Sequence, residues 1–283
     1  MAVDQDYEFE YNGLVFGANN DIGLTYVTGL DPVDIREDNV TKSAEHGSFI
    51  FANWLDERRI ILEGDIAVSN PSLLEAQINL WRLAFNPRPT PIPMYFQLPS
   101  TGVRFVNCVP IRRSLPVDRL YQIGAAQWRA ELAAEDPRIY GNALNNQDID
   151  AVSTLAIGID LPIDFPFGFG GGASGSANAI NAGSFDSPPT LRIDGPCTTP
   201  MVHNITAGKF VKFNITLATG EFLIVDHLRK TVMLGGTASR YSTMDANSAW
   251  WMLLPGTNSL QFVANGAQPG VTGVTVSWRD AWV

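Results

Sequence analysis

Hydrophobic and polar residues alternate strictly in several stretches of the second half of the chain. Over Lys209–Leu217, Val211, Phe213, Ile215 and Leu217 fall on one side, with Lys212, Asn214 and Thr216 on the other. This period of two marks a strand with one buried face. Leu260, Phe262 and Ala264 repeat the pattern, as do Val274, Val276 and Trp278. Turn signals separate such stretches at Ser187-Pro-Pro189, Asp194-Gly-Pro196, Thr206-Ala-Gly208, Thr219-Gly220, Gly235-Gly236, Pro255-Gly-Thr-Asn258 and Asn265-Gly266. About eight short strands in roughly a hundred residues predict a β-sandwich over 186–283.

The first half is also strand-like, punctuated at Asn12-Gly13, Gly29 and Asp31-Pro32, but one segment has helical spacing. Ser69 or Asn70 can cap it, and Pro71 suits a first helical turn. Leu74, Ile78, Trp81 and Phe85 then recur at i, i+4, i+7 and i+11, with Leu73, Leu80 and Ala84 alongside, so this stripe is expected to be core. Asn86-Pro87 and Pro89, Pro91 and Pro93 end the helix. Residues 121–135 carry two signals. Their Ala and Glu content favours helix, whereas Trp128, Ala130, Leu132 and Ala134 alternate with polar neighbours and favour strand.

Composition changes abruptly near residue 156. Asp164-Phe-Pro-Phe-Gly-Phe-Gly-Gly-Gly172 and the Ala/Ser/Gly/Asn stretch after it suit a linker whose phenylalanines dock on a surface. No Gly-Lys-Ser/Thr follows the glycines, so a phosphate loop is not supported. The chain therefore reads as a domain over 1–150, a Gly-rich linker over 151–185 and a second domain over 186–283. A length of 283 residues is also what two domains need.

Charge divides the halves. Residues 1–150 hold 21 acidic and 12 basic side chains, and residues 151–283 hold 8 and 7. An acidic chain lacks the cations that neutralise phosphates, so nucleic-acid binding is disfavoured. Seven acidic residues precede the first cation, Arg36, unlike a secretory signal, and no apolar run reaches a membrane span. Cys108 and Cys197 lie in different halves, outside any CxxC, and are expected to be buried, reduced thiols.

Catalytic chemistry is not indicated. His46, His203 and His227 show no metal-ligand spacing, and no GxSxG nucleophile elbow occurs. A glycosidase needs two converging carboxylates, but Glu221 and Asp226, an odd number apart on one expected strand, point to opposite faces. No catalytic, cofactor or metal residue is expected. Asp56-Glu57-Arg58-Arg59 reads as a solvated turn. Arg112, Arg113 and Arg119 form the one locally basic patch and are candidate inter-subunit contacts in an otherwise acidic domain. Trp250, Trp251, Trp278 and Trp282 could stack on sugars if exposed, although Trp278 continues a core-facing alternation.

Taken in order, these pieces resemble the distal tail proteins of long-tailed, non-contractile phages, particularly those of actinobacteria. The first half contributes Gly29-Leu-Asp-Pro32 followed by Arg36, Gly47-Ser48, Arg59-Ile-Ile-Leu-Glu-Gly64-Asp-Ile66 and Trp128 through Tyr140. The second contributes Asn181-Ala-Gly183, Ser187-Pro-Pro189, Ile193-Asp-Gly-Pro196, Gly220-Glu221, Leu254-Pro-Gly-Thr-Asn258 and the closing Val276–Trp282. The resemblance implies a mainly β chain: a small N-terminal β-sandwich or split barrel with one α-helix, then a galectin-like β-sandwich. It also makes 128–135 strand. It further implies a homo-hexameric ring at the virion tail tip, assembled in the host cytoplasm. Such a ring joins the tail tube protein to tail-tip, tail-fibre or receptor-binding proteins and passes DNA through its lumen without binding it specifically. A carbohydrate-binding module on a virion or cell surface is the alternative, and a polysaccharide-degrading enzyme a more distant one. The sugar-binding cluster of galectins is not recognisable; His203, Asn214 and Glu221 lie near the right elements at unsuitable spacing.

Overall fold

The computed structural model describes residues 3–31, 34–150, 152–153, 175–268 and 270–283. The chain is mainly β, as expected, and divides into two compact units, Met1–Asn142 and Ala143–Trp282.

The first unit begins with the hairpin β1 (Glu8–Tyr11) and β2 (Leu14–Gly17), then β3 (Ile22–Thr28). Four two-residue strands follow: β4 (Ile35–Arg36), β5 (Val40–Thr41), β6 (Ser48–Phe49) and β7 (Trp54–Leu55). After β8 (Arg58–Ala67) come α1 (Leu74–Ala84), β9 (Ile92–Phe96), β10 (Arg104–Ser114), β11 (Ala125–Ala134) and β12 (Ile139–Gly141). The strands run in the order β2-β1-β9-β10-β11-β8-β3, with β12 also on β10. Residues 125–134 are therefore strand. Ala126, Trp128, Ala130, Leu132 and Ala134 are buried in strict alternation, and tertiary burial overrides helical propensity.

Asn70 accepts a hydrogen bond from the Ser72 amide at 3.1 Å and starts a short 3₁₀ turn that leads into α1. Leu74, Ile78, Trp81, Ala84 and Phe85 are buried. Trp81, Phe85, Trp128 and Phe16 pack with ring centroids 5.5–6.0 Å apart, so α1 covers one face of the sheet. Leu73 and Leu80, expected beside the core, are instead exposed. At about 100° per residue Leu80 stands on the flank of α1, roughly a quarter turn from Trp81, and Leu83, also exposed, on its far side, while Leu73 belongs to the 3₁₀ turn before the helix.

The second unit holds β13 (Asn145–Asp150), β14 (Val152–Ser153), β15 (Gly175–Asn181), β16 (Thr190–Asp194), β17 (Cys197–Asn204), β18 (Lys209–Lys212) and β19 (Thr216–Leu217). Next come β20 (Phe222–Asp226), β21 (Thr231–Leu234), β22 (Ala238–Ser239), β23 (Gly256–Asn265), β24 (Gly273–Trp278) and β25 (Ala281–Trp282). One sheet runs β13-β24-β16-β20-β21-β22; the other runs β14-β23-β17-β18, with β15 on β23 and β19 on β17. Leu191, Ile193, Leu223, Val225, Val274 and Val276 from the first share one core with Val202, Val211, Leu260 and Phe262 from the second. The expected sandwich is present.

Two expected boundaries differ. β13 falls inside the stretch assigned to the first domain, yet it pairs with β24 from Asn145↔Trp278 to Asp150↔Gly273. Only Ile149 of this polar strand is buried, so it carried little hydrophobic signal. β15 falls inside the expected linker and pairs with β23 along its length. Its Gly, Ser, Ala and Asn composition reads as linker, but Ala179 and Asn181 are buried at alternate positions. Residues 154–174, including the Phe/Gly run, lie outside the described residues. Reassigning Asp148 and Asp150 leaves 19 acidic and 12 basic side chains in residues 1–142.

Candidate assembly surfaces

In the first unit, β4 pairs with β7 (Ile35↔Leu55, Arg36↔Trp54) and β5 with β6 (Val40↔Phe49, Thr41↔Ser48). The Asp56 amide donates to the Asp34 carbonyl at 2.8 Å and the Lys42 amide to the Gly47 carbonyl at 3.2 Å. Residues 34–56 thus form a two-stranded ribbon that continues the β3–β8 pair. Ile35, Val40, Phe49, Ile50, Phe51 and Trp54 are all exposed on it, Ile50 at 76% and Trp54 at 61%. The sequence showed no such arm, because a ribbon wet on both faces has no buried side and hence no period of two.

Arg58 fixes the root of this arm. The side chain is fully buried, in contrast to the solvated turn expected for Asp56–Arg59. Its Nη1 donates to the carbonyls of Gly29 and Leu30, and its Nε to that of Pro137, each at 2.7 Å. Nη2 is buried without a hydrogen bond. Burial pulls the guanidinium below its ordinary pKa, while Asp31 and Asp136 oppose that pull. A signal for this residue was present: Arg58 shares the parity of Ile60, Leu62 and Ile66, the inward positions of β8.

The three candidate arginines separate in the structure. Arg112 lies at the end of a charged ladder across β8, β11 and β10. Arg129 bridges Glu63 at 2.8 Å and Glu131 at 3.1 Å, and Arg112 approaches Glu131 at 4.0 Å. Beside the ladder a depression of about 470 Å³ is lined by Thr25, Glu63, Asp65, Gln127 and Arg129. Arg113 turns to the C-terminus of α1, donating to the Arg82 carbonyl at 2.5 Å and to Asn86 Oδ1 at 2.8 Å. There a cation also complements the helix dipole. Arg119 begins a 3₁₀ turn, Arg119–Ile123, whose Asp118 cap accepts from the Leu120 amide at 2.8 Å. All three are exposed.

In the second unit, Asn181, Ser187 and Asn258 form a polar network among buried loops. Asn181 Nδ2 donates to the carbonyls of Phe185 (2.7 Å) and Leu253 (3.1 Å), while its Oδ1 accepts from Gly183 (3.1 Å) and Ala281 (3.3 Å). Asn258 Oδ1 accepts from the Leu254 amide at 2.9 Å, and its Nδ2 donates to the Leu254 carbonyl at 2.8 Å. Ser187 Oγ donates to the Arg279 carbonyl. These residues satisfy backbone groups where loops cross the sandwich, and removing one partner strands the other.

Residues considered for sugar or catalytic chemistry are engaged locally. Trp251 and Trp278 are buried, and Trp250 and Trp282 half-buried. Glu221 accepts from the Ala218 amide at 2.8 Å in one turn, and Asp226 from the Leu228 and Arg229 amides at 2.9 Å in another. Asn214 reaches Asp245 at 3.4 Å, and His203 stands edge-on to Phe210. His46 is exposed near the tip of the ribbon. His227 is buried against Trp251, with ring centroids 4.5 Å apart. Among the described residues, no group of three or more His, Cys, Asp or Glu is placed to hold a metal ion. Burial pushes the Cys108 thiol up to about 12 and the Cys197 thiol up to about 11, Arg88 opposing the first and Asp194 adding to the second.

Comparison with known proteins bears on both units. Residues 182–282 match the family model described as the siphovirus-type tail component, C-terminal domain. The whole chain is similar in structure to the SPP1 Dit (gp 19.1) protein, described as a paradigm of the hub adsorption apparatus in phages infecting Gram-positive bacteria. The TM-score is 0.68 at 15% identity, covering 98% of this chain and 99% of that one. A chain of the phage P2 baseplate in its Ca-activated conformation matches at a TM-score of 0.51 and 9% identity, covering 95% and 97%. No curated protein sequence matches.

Proposed function

We propose, for a chain whose residues 182–282 match the siphovirus-type tail component model and whose fold is that of the SPP1 Dit protein, a structural role as the hub of a phage tail tip. Six copies close into a ring through their first units. The ring joins the tail tube protein on one side to tail-tip, tail-fibre or receptor-binding proteins on the other, within the virion. The observation that carries this reading is the end-to-end match: both units, in the same order, align with a hub protein over nearly its full length. Two uncovered apolar surfaces on the first unit, the ribbon and the outer face of α1, support a role in assembly.

The role is proposed to be mechanical, without turnover. An excess of carboxylates in residues 1–142, repeated around a ring, would present a negative lumen to passing DNA and so repel rather than hold it. The test is to purify the protein alone and with its tail tube protein and to image the particles end-on. Six-fold rings that stack coaxially on tubes are the expected result; particles without rotational symmetry that ignore the tube would overturn the reading.

A further inference from the structure

The first unit carries two exposed apolar surfaces that differ in charge. The ribbon over 34–56 has Asp34, Glu37, Asp38, Glu45 and Asp56 against only Arg36 and Lys42. The second surface lies along the outer face of α1 and the connection 115–124. Leu80, Leu83, Val117 and Ile123 are exposed there, Val117 at 76%. The connection lies beside the start of the helix: the Val68 amide donates to the Gly124 carbonyl at 3.1 Å, and a Cβ on Gly124 would stand 3.2 Å from Pro71 Cα. Its charges are Arg113 and Arg119 against Asp118, with Glu75 already bridged to Arg82 at 2.7 Å.

A two-stranded ribbon wet on both faces is marginal in water on its own, and this one presents six large apolar side chains to solvent. Its occupant must bring apolar surface, and the α1/115–124 face of the same chain offers it, with Arg113 at its edge giving that face one net positive charge against the ribbon's net of three negative. Two different patches that complement each other make a head-to-tail contact, the kind that closes into a ring when the rotation allows. We infer that the ribbon of one copy docks on the α1/115–124 face of the next copy and is the principal seam between subunits. This rests on the ring proposed above and names the surfaces that would build it.

A complementation experiment on the full chain tests it. One variant loses the ribbon surface (Ile50→Asp, Phe51→Asp, Trp54→Asp); the other loses the receiving face (Val117→Asp, Arg119→Glu). All five side chains are exposed, and circular dichroism and thermal melting check that each variant folds. Wild type assembles, each variant alone sediments as a monomer with self-association weakened at least tenfold, and the equimolar mixture forms a dimer of twice 30.9 kDa. That dimer holds the one intact seam left. Variants that assemble like wild type, or a mixture that stays monomeric, would overturn the seam while the ring stands. Wild type that stays monomeric at every concentration would remove the ring reading, and the seam with it.

Discussion

The guanidinium of Arg58 donates from Nη1 to the carbonyl of Gly29 at 2.7 Å, the residue at which the chain leaves β3 for the exposed ribbon. Gly29 has φ +88°, and a Cβ there would lie 1.8 Å from the Arg59 carbonyl oxygen. Donor and acceptor thus flank the same crossing. The position admits only glycine, and the buried cation ties the ribbon's two ends together.

Replacing Arg58 by Ala leaves the Gly29, Leu30 and Pro137 carbonyls without this donor, and a destabilisation of about 3 kcal/mol is expected. Arg58→Lys recovers only part, since an ammonium cannot reproduce the planar fork. Gly29→Ala should be at least as damaging, through backbone strain. Urea unfolding followed by tryptophan fluorescence measures all three.

In the second unit, Asn181→Ala removes four hydrogen bonds from buried and half-buried backbone groups, and a loss of about 2–4 kcal/mol is expected. Gly183→Ala is expected to be comparably severe, because its Cβ would meet the Ala281 carbonyl oxygen at 1.9 Å. Calorimetric melting should show either change lowering the transition of this unit.

His227 gives the second unit a pH dependence of defined sign. Burial pushes its pKa down from 6.5 to about 3, with the Pro189 and Val225 carbonyls pulling partly the other way. Folded, the imidazole stays neutral; unfolded, it binds a proton below pH 6.5. Stability is therefore complete above 6.5 and is lost as pH falls towards 3, by about 2 kcal/mol between pH 8 and pH 5. Denaturant midpoints across that range, compared with His227→Phe, isolate this contribution as the part of the slope that the variant lacks.

The basic residues should part company energetically. Arg113→Ala removes a cation bonded to the end of α1 and is expected to cost about 1 kcal/mol. Arg112→Ala removes a 4.0 Å surface pair and should stay within about 0.5 kcal/mol. Equal losses for the two, measured by urea denaturation, would contradict the geometry.

Where one face of an element is buried and the other wet, its sequence was readable. Val211, Phe213 and Leu217, Leu260 and Phe262, and Trp128, Ala130, Leu132 and Ala134 all point inward as their alternation requires. The helix was legible from its cap and its Trp81 stripe. What escaped was whatever lacked that contrast. β13 is polar with one buried Ile149, β15 is built of small residues, and the ribbon is apolar on exposed positions. Arg58 escaped for another reason: a charged residue next to three others reads as surface, although its parity on β8 marked it as inward. Of the three arginines grouped by sequence proximity, Arg112 and Arg113 take up different local roles, which only the strand register and the helix end could reveal.

The native mass of the purified full-length protein, by light scattering across a concentration series, tests the ring most directly. Six times the 30.9 kDa chain, or a whole multiple of that ring, is the expected result. A mass of one chain at every concentration would contradict it.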